Sequence, residues 1–376
     1  MHAIVHALCQ NWVAHPQTRR KEPGTFATAV TEDFVKVVDI AKPENRPVIY
    51  HCGKFAGFPE YAAMMTLVFP EYTMIDIDVL ITKRGDPNHF RPKNPQPFDI
   101  FLQHWDQKCS VYVYRWLWQF YSGKTIFVYP EAHNYSRPVE RGDFVELGPL
   151  EMRKSNHIKI TYMQVAFCKF HSRSRMTALF HNRPRNTGDH FLCYAQKNCV
   201  DFREDAFAEL SKLGKVYYGG KCDGSAGTQT SEPVGTYFNN SVKRHNYQAN
   251  INFFSAFKFC LVMEHAVSEG YVTEKILMAF WAGCVPIYFG TQDVFEYFNK
   301  DAFIFYNISN PRPALEHISA LLRDDALYNK TLSEPILAKG EATIRKYFSF
   351  ADYIADGELK QRIRSMIGLH RVRFLS

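Results

Sequence analysis

A chain of 376 residues with 46% hydrophobic and 22% charged residues is long enough for two cores of about 150–200 residues each, and too apolar for a large disordered fraction. The net charge of +7 is scattered, with no arginine-rich run interleaved with aromatics before the last twenty residues, which argues against a nucleic-acid surface and for a few placed cations facing an anionic ligand. Nine cysteines (Cys9, Cys52, Cys109, Cys168, Cys193, Cys199, Cys222, Cys260, Cys284) lack any C-x-x-C pair. Neither zinc nor a disulfide framework is therefore expected, and Cys260 and Cys284 read as small buried hydrophobes.

At the start of the chain, His6, Gln10, Asn11 and His15 interrupt any leader-like run, and no later segment reaches the ~18 apolar residues of a membrane span. A soluble chain is expected, cytoplasmic as it stands, or from the Golgi lumen if an anchor had been removed. Strand-like runs follow at 48–52, 74–82, 98–104 and 125–129, with a helical pattern at 61–69. The polar, turn-rich stretch 137–156 reads as a link between two halves. A strand is expected at 176–181, then a helix at 201–213 carrying Ala206, Phe207, Leu210 and Leu213 on one face and stopped by Gly214, then a strand at 215–218. After the long loop 219–240, a continuous apolar run at 258–263, a helix at 273–281 closed by Gly283, and a strand at 284–289 complete a strand, helix, strand crossover. The alternation predicts an α/β fold with mostly parallel sheets, and such a crossover opens its ligand crevice at residues 264–275.

The loop Ser268-Glu269-Gly270-Tyr271-Val272-Thr273-Glu274-Lys275 puts a lysine in the first turn of a helix. The helix dipole disfavours a cation there unless an anion is brought to it. A diphosphate on the backbone N–H groups is one such anion; an incidental Glu-Lys pair at a solvated helix start is the plainer alternative. Neither a P-loop nor a G-x-G-x-x-G motif occurs.

Three runs in order, Lys258-Phe259-Cys260-Leu261-Val262-Met263-Glu264-His265, Tyr271-Val272-Thr273-Glu274-Lys275, and Val285-Pro286-Ile287-Tyr288-Phe289-Gly290, resemble the donor-binding segment of the α1,3-fucosyltransferases. The resemblance implies a GT-B fold of two Rossmann-like domains facing across a cleft: an acceptor domain at 1–170, a GDP-fucose domain at 171–345, and a helical end at 346–376 returning to the first. It also implies inverting, metal-independent transfer of L-fucose from GDP-β-L-fucose to a hydroxyl of an acceptor glycan, α1,3-linked, with Mn²⁺ or Mg²⁺ stimulatory at most.

Carried over position by position, the resemblance makes Tyr271 the residue packed on the donor, Glu274 the ribose carboxylate, and Lys275 and Arg203 the diphosphate cations. Asn182 takes the place of a short turn after a strand, and Glu264 that of a structural or donor-edge carboxylate. His265 stands where the family has asparagine, which puts nucleotide-edge recognition in question. Glu131, at the end of the 125–129 strand, resembles the family's strand-end glutamate and is the candidate general base. Arg183 and Arg185, which the family does not specify, read as surface charge.

Other features carry two readings each. Asp76-Ile77-Asp78 is either a metal-binding Asp-x-Asp or a polar strand end. The aromatics Trp105, Tyr112, Tyr114, Trp116, Trp118, Phe120 and Tyr121 form either a sugar-stacking platform or core. The basic amphipathic segment 359–376 either rests on an anionic membrane or docks across the domains. Sequons begin at Asn134, Asn239, Asn307 and Asn329. The rival functions are transfer of a different nucleotide sugar and carbohydrate binding without catalysis.

Overall fold

The computed structural model describes residues 28–31, 34–39, 46–52, 59–77, 96–104, 109, 113, 117, 121, 123–129, 144–150, 155–169, 183–226, 234–238 and 247–369. Contacts divide the chain into two units, 1–46 with 372–376, and 47–371. In the smaller unit, β1 (Thr28–Thr31) and β2 (Phe34–Asp39) pair antiparallel.

The larger unit contains two six-stranded sheets, parallel throughout. The first is built from β3 (Val48–His51), β4 (Thr73–Asp76), β5 (Ile100–His104), β6 (Lys124–Val128), β7 (Phe144–Gly148) and β8 (His157–Lys159), in the order β4-β3-β5-β6-β7-β8. Helix α1 (Pro59–Val68) crosses from β3 to β4, and α2 (Tyr162–Lys169) leaves β8. A strand buried on both faces is expected to be apolar along most of its length; every residue of β5 (Ile100–His104) is buried, the polar end Gln103-His104 included.

The stretch 137–156, expected as a polar link, in fact contains β7. Its strand Phe-Val-Glu-Leu-Gly is interrupted by Glu146, which is buried all the same. That one carboxylate and the polar flanks hid a central strand from a pattern reading. The strand expected at 176–181 lies outside the described residues.

The second sheet comprises β9 (His190–Tyr194), β10 (Val216–Tyr218), β11 (Thr236–Tyr237), β12 (Phe257–Leu261), β13 (Val285–Tyr288) and β14 (Ile304–Phe305), ordered β11-β10-β9-β12-β13-β14. Between these strands run α3 (Asp201–Ser211), α4 (Tyr247–Phe254), α5 (Glu274–Ala282) and the short α6 (Val294–Tyr297). Gly283 ends α5 with φ +80°, the left-handed conformation glycine adopts without strain. Four helices follow: α7 (Arg312–Arg323), α8 (Asp325–Ser333), α9 (Glu341–Tyr347) and α10 (Glu358–Met366).

One core joins the two sheets. Phe167 of α2 stacks on Trp281 of α5 with centroids 6.3 Å apart and meets Phe348 edge-on at 4.9 Å. Helix α10 packs against α1, burying Leu359 and Ile363. Its Arg364 pairs with Glu71 at 2.6 Å and donates to the Val68 carbonyl at 3.1 Å, while Lys360 pairs with Asp352 at 2.6 Å. The apolar face read as a candidate membrane contact is thus already covered by protein, and two of its basic residues are used internally. Among the described residues no helix is long and apolar enough to cross a membrane.

The cysteine expectation is corrected. Disulfides join Cys52 to Cys109, Cys199 to Cys222 and Cys260 to Cys284, while Cys168 and Cys193 are buried thiols. The partners are 57, 23 and 24 residues apart, with no spacing motif to announce them. For the third pair, parallel register does the work, since Cys260 lies opposite Pro286, two positions past Cys284.

Candidate active site

In a parallel α/β sheet the ligand crevice opens at the carboxyl ends of the strands, where strand order reverses. In the second sheet that point lies between β9 and β12. Gln196 follows β9, the run Met263-Glu264-His265 follows β12, and Arg203 sits in the first turn of α3. The loop 268–273 then enters α5 beside them.

Glu264 is the hub and is fully buried. Its Oε1 accepts from the Thr273 backbone N–H at 2.8 Å and from the Tyr288 hydroxyl at 3.5 Å; its Oε2 accepts from Thr273 Oγ1 at 2.8 Å and Lys275 Nζ at 2.7 Å. A buried carboxylate is tolerated because a helix N-terminus and an ammonium satisfy it. Gly290 leaves room for it, since a Cβ there would approach Glu264 Cγ to 2.9 Å and the Tyr288 hydroxyl to 2.4 Å. The anion that the lysine in the helix's first turn called for is therefore first of all Glu264. Lys275 Nζ also donates to Thr273 Oγ1 at 3.1 Å, which among the described residues leaves one of an ammonium's three N–H groups unused on a side chain 15% exposed.

Arg203 is buried at 1% exposure. Its Nη1 donates to Gln196 Oε1 at 2.8 Å and more weakly to the Met263 carbonyl at 3.5 Å, and its Nη2 to the Asn198 carbonyl at 2.5 Å, whereas Nε has no partner among the described residues. Burial pushes the guanidinium below its usual pKa, with Tyr194, Glu264, Glu204 and Tyr271 opposing. A buried cation held by neutral oxygens, with a donor unused, is stabilised by an incoming anion.

Tyr271 is buried, its hydroxyl 3.1 Å from His265 Nδ1 and the two rings edge-on at 5.1 Å. The family departure at His265 thus has a partner inside the motif. Glu274 opens α5 half-buried, its charge felt by Tyr162 and Tyr247 of the neighbouring helices. The loop is anchored at Gly270, whose N–H donates to Asp293 Oδ2. Gly270 has φ +68°, and a Cβ there would come within 1.9 Å of the Pro149 carbonyl at the end of the first sheet. Asp293 lies 3.9 Å from Lys159 of β8, which also pairs with Glu296 at 3.1 Å. Arg203, Glu264, His265, Tyr271, Glu274 and Lys275 thus gather at one edge.

Glu131 and Asn182 lie outside the described residues, as do Asp78 and the aromatics Trp105, Tyr112, Tyr114, Trp116, Trp118 and Phe120. Tyr121 belongs to the core reading: it is buried, and its hydroxyl donates toward the carbonyls of Asp99 and Lys124 at 2.8 and 2.7 Å. Arg183 is corrected from surface charge, because its Nη2 donates to the Ala302 carbonyl at 2.7 Å and its guanidinium lies 5.0 Å from the Phe280 ring centroid.

The first sheet also reverses, between β3 and β5, and each of those strands ends on a buried histidine, His51 and His104. His51 is pushed down to about 4 by burial and by His104, while Tyr61 stacks on His104 with centroids 5.6 Å apart. Pattern reading passed over both; the available signal was a histidine as last residue of two adjacent strands. For metals, the one group of clustered ligand types among the described residues is Cys199, Glu204 and Cys222. Its atoms are committed, the cysteines to each other and Glu204 to the Tyr194 hydroxyl and Gly224 N–H.

Residues 187–333 match the model of glycosyltransferase family 10 (fucosyltransferase) C-term. A GDP-fucose protein O-fucosyltransferase 3 of Xenopus laevis is 31% identical over 143 residues, 36% of this chain and 29% of that protein. The chain spans about a third of the length of the curated relatives it matches. A crystal structure of an α1,3-fucosyltransferase superposes with TM-score 0.57 at 17% identity, covering 89% of this chain and 95% of that one; one of an α1,3-fucosyltransferase with GDP-fucose gives 0.52 at 15%, covering 96% of each. Two parallel α/β sheets in one unit, with that likeness, are the GT-B fold. The segment 187–333, which carries the second sheet and the site at its carboxyl edge, is thus the part of the chain that matches the C-terminal domain of glycosyltransferase family 10, the fucosyltransferases.

Proposed function

We propose that the chain transfers L-fucose from GDP-β-L-fucose to a hydroxyl of an acceptor sugar by inverting, single displacement, with α1,3 linkage. The observation that carries the reading is the convergence of Arg203 and Lys275, each with an unused donor, on the switch point of the sheet that bears the family match. In this account residues to 170 receive the acceptor and 171–345 bind the donor.

Glu131 takes the proton of the acceptor hydroxyl, whose oxygen attacks the anomeric carbon as the bond to the β-phosphate oxygen breaks. GDP leaves with the electron pair, and Arg203 and Lys275 neutralise the charge that develops on it. Glu264 holds Lys275 in place, and Glu274, His265, Tyr271 and Asn182 line the nucleotide side. The cations serve where other enzymes use a divalent ion, which here stimulates at most. The test is turnover with GDP-fucose, GDP-mannose and UDP-sugars against a panel of glycans. The account expects GDP-fucose to be used in preference to the others; turnover with another donor alone would contradict it.

A second acceptor class is favoured by one observation, that a 31%-identical relative is a protein O-fucosyltransferase. Including folded proteins and peptides in the acceptor panel separates a side-chain hydroxyl from a sugar hydroxyl.

A further inference from the structure

Two of the four sequons lie among the described residues, and the fold treats them in opposite ways. Asn307-Ile308-Ser309 follows β14, the outermost strand of the second sheet, and all three residues are exposed. Asn307 Oδ1 accepts from the Ser309 backbone N–H at 3.0 Å, and the Asn310 N–H donates to the Asn307 carbonyl at 3.0 Å. The side chain and main chain of Asn307 thus form an Asx turn within a tight loop. Its Oδ1 is engaged and its Nδ2 makes no hydrogen bond among the described residues. Because the bonds span only two and three residues, the same turn is available to the chain before it folds.

Asn329 stands instead inside α8, and the hydroxyl residue of its sequon is hidden. Thr331 is 6% exposed, and its Oγ1 donates to the Leu327 carbonyl at 3.3 Å. Helical backbone cannot present Asn329 and Thr331 together in an extended or turn conformation. The three disulfides also suit an oxidising, secretory compartment, where glycans are attached to such sequons.

We propose that Asn307 is a site of N-linked glycosylation and that Asn329 is not. In the reaction Asn307 Nδ2 attacks the anomeric carbon of a lipid-diphosphate-linked oligosaccharide. The C–N bond forms as the C–O bond to the diphosphate breaks, the lipid diphosphate departs with the electron pair, and Nδ2 releases one proton. Ser309 contributes both the turn and the hydroxyl by which the sequon is recognised. The ligand is thus an oligosaccharide on the outer edge of the donor sheet.

The test is site occupancy on the full chain directed through the secretory pathway of insect cells. Peptides are released from their glycans by amidase in heavy-oxygen water, which leaves labelled aspartate at each occupied asparagine. Label on most copies of Asn307 and several-fold less on Asn329 is expected. Ser309→Ala should abolish label at Asn307 while leaving the unfolding midpoint unchanged, and Ser309→Thr should retain it. Unlabelled Asn307, equal label at Asn329, or label surviving Ser309→Ala would overturn the proposal. The labelling read on the unaltered chain keeps the test independent of how any variant folds, and independent of transferase activity.

Discussion

The two sheets of the larger unit are alike in build and opposite in how their functional edges are written. The second sheet's edge lies almost wholly in one continuous stretch, from the end of β12 through the first turn of α5, and is wired together by Glu264. The first sheet's edge is assembled from single residues at the ends of separate strands, His51 and His104, with dozens of residues between them. A contiguous edge is recognisable as a motif, whereas a dispersed one exists only after the sheet has formed.

The largest effect expected concerns Glu131, the proposed base. Glu131→Gln should lower turnover by ~10²-fold or more while calorimetric GDP affinity stays unchanged; equal loss of both would assign Glu131 to structure and leave the proposed reaction without its base. Next, Gly270→Ala should cost about 2–4 kcal/mol in urea unfolding, because φ +68° is unfavourable for a side chain and the new Cβ meets the Pro149 carbonyl. A variant of unchanged stability would show that the loop 268–273 does not lean on the first sheet.

The histidines set a pH dependence. The folded-state pKa of His51 is about 4 against an ordinary 6.5, so the unfolded chain binds the extra proton between those values. The contribution is fully present above pH 6.5 and is lost as pH falls toward 4, up to about 3 kcal/mol. Unfolding midpoints measured across that window should fall with acid, and less steeply in His51→Asn. Lys275→Ala should then weaken GDP binding by about 10-fold or more, the worth of a charge-assisted hydrogen bond, read alongside a melting curve because Glu264 loses its cation. The smallest effect belongs to neither edge: Arg312→Ala breaks an exposed i,i+4 pair with Glu316 and should leave the unfolding midpoint unchanged within error.

Particular residues show why one edge was legible. The helix 201–213 and the strands flanking α5 emerged within a few residues of their observed bounds, since apolar faces and the stops Gly214 and Gly283 are local signals. Arg203, Glu264 and Lys275 came from a motif, but that Glu264 is the first partner of Lys275 followed only from packing β12 against the start of α5. Strand β7 was missed because buried Glu146 breaks its apolar run. The disulfides were missed because the fold, not a spacing motif, brings the sulfurs together, through parallel register in the case of Cys260 and Cys284. Arg183 read as surface because nothing in its neighbours announces Ala302 and Phe280.

The central claim is that the donor's diphosphate is gripped between Arg203 and Lys275 at the reversal point of the second sheet. The most direct measurement is a crystal structure with GDP bound. The account predicts phosphate oxygens within hydrogen-bond distance of Lys275 Nζ and the Arg203 guanidinium, with the nucleotide lying along residues 264–275. Clear GDP density elsewhere, with both cations still in their present bonds, would contradict it.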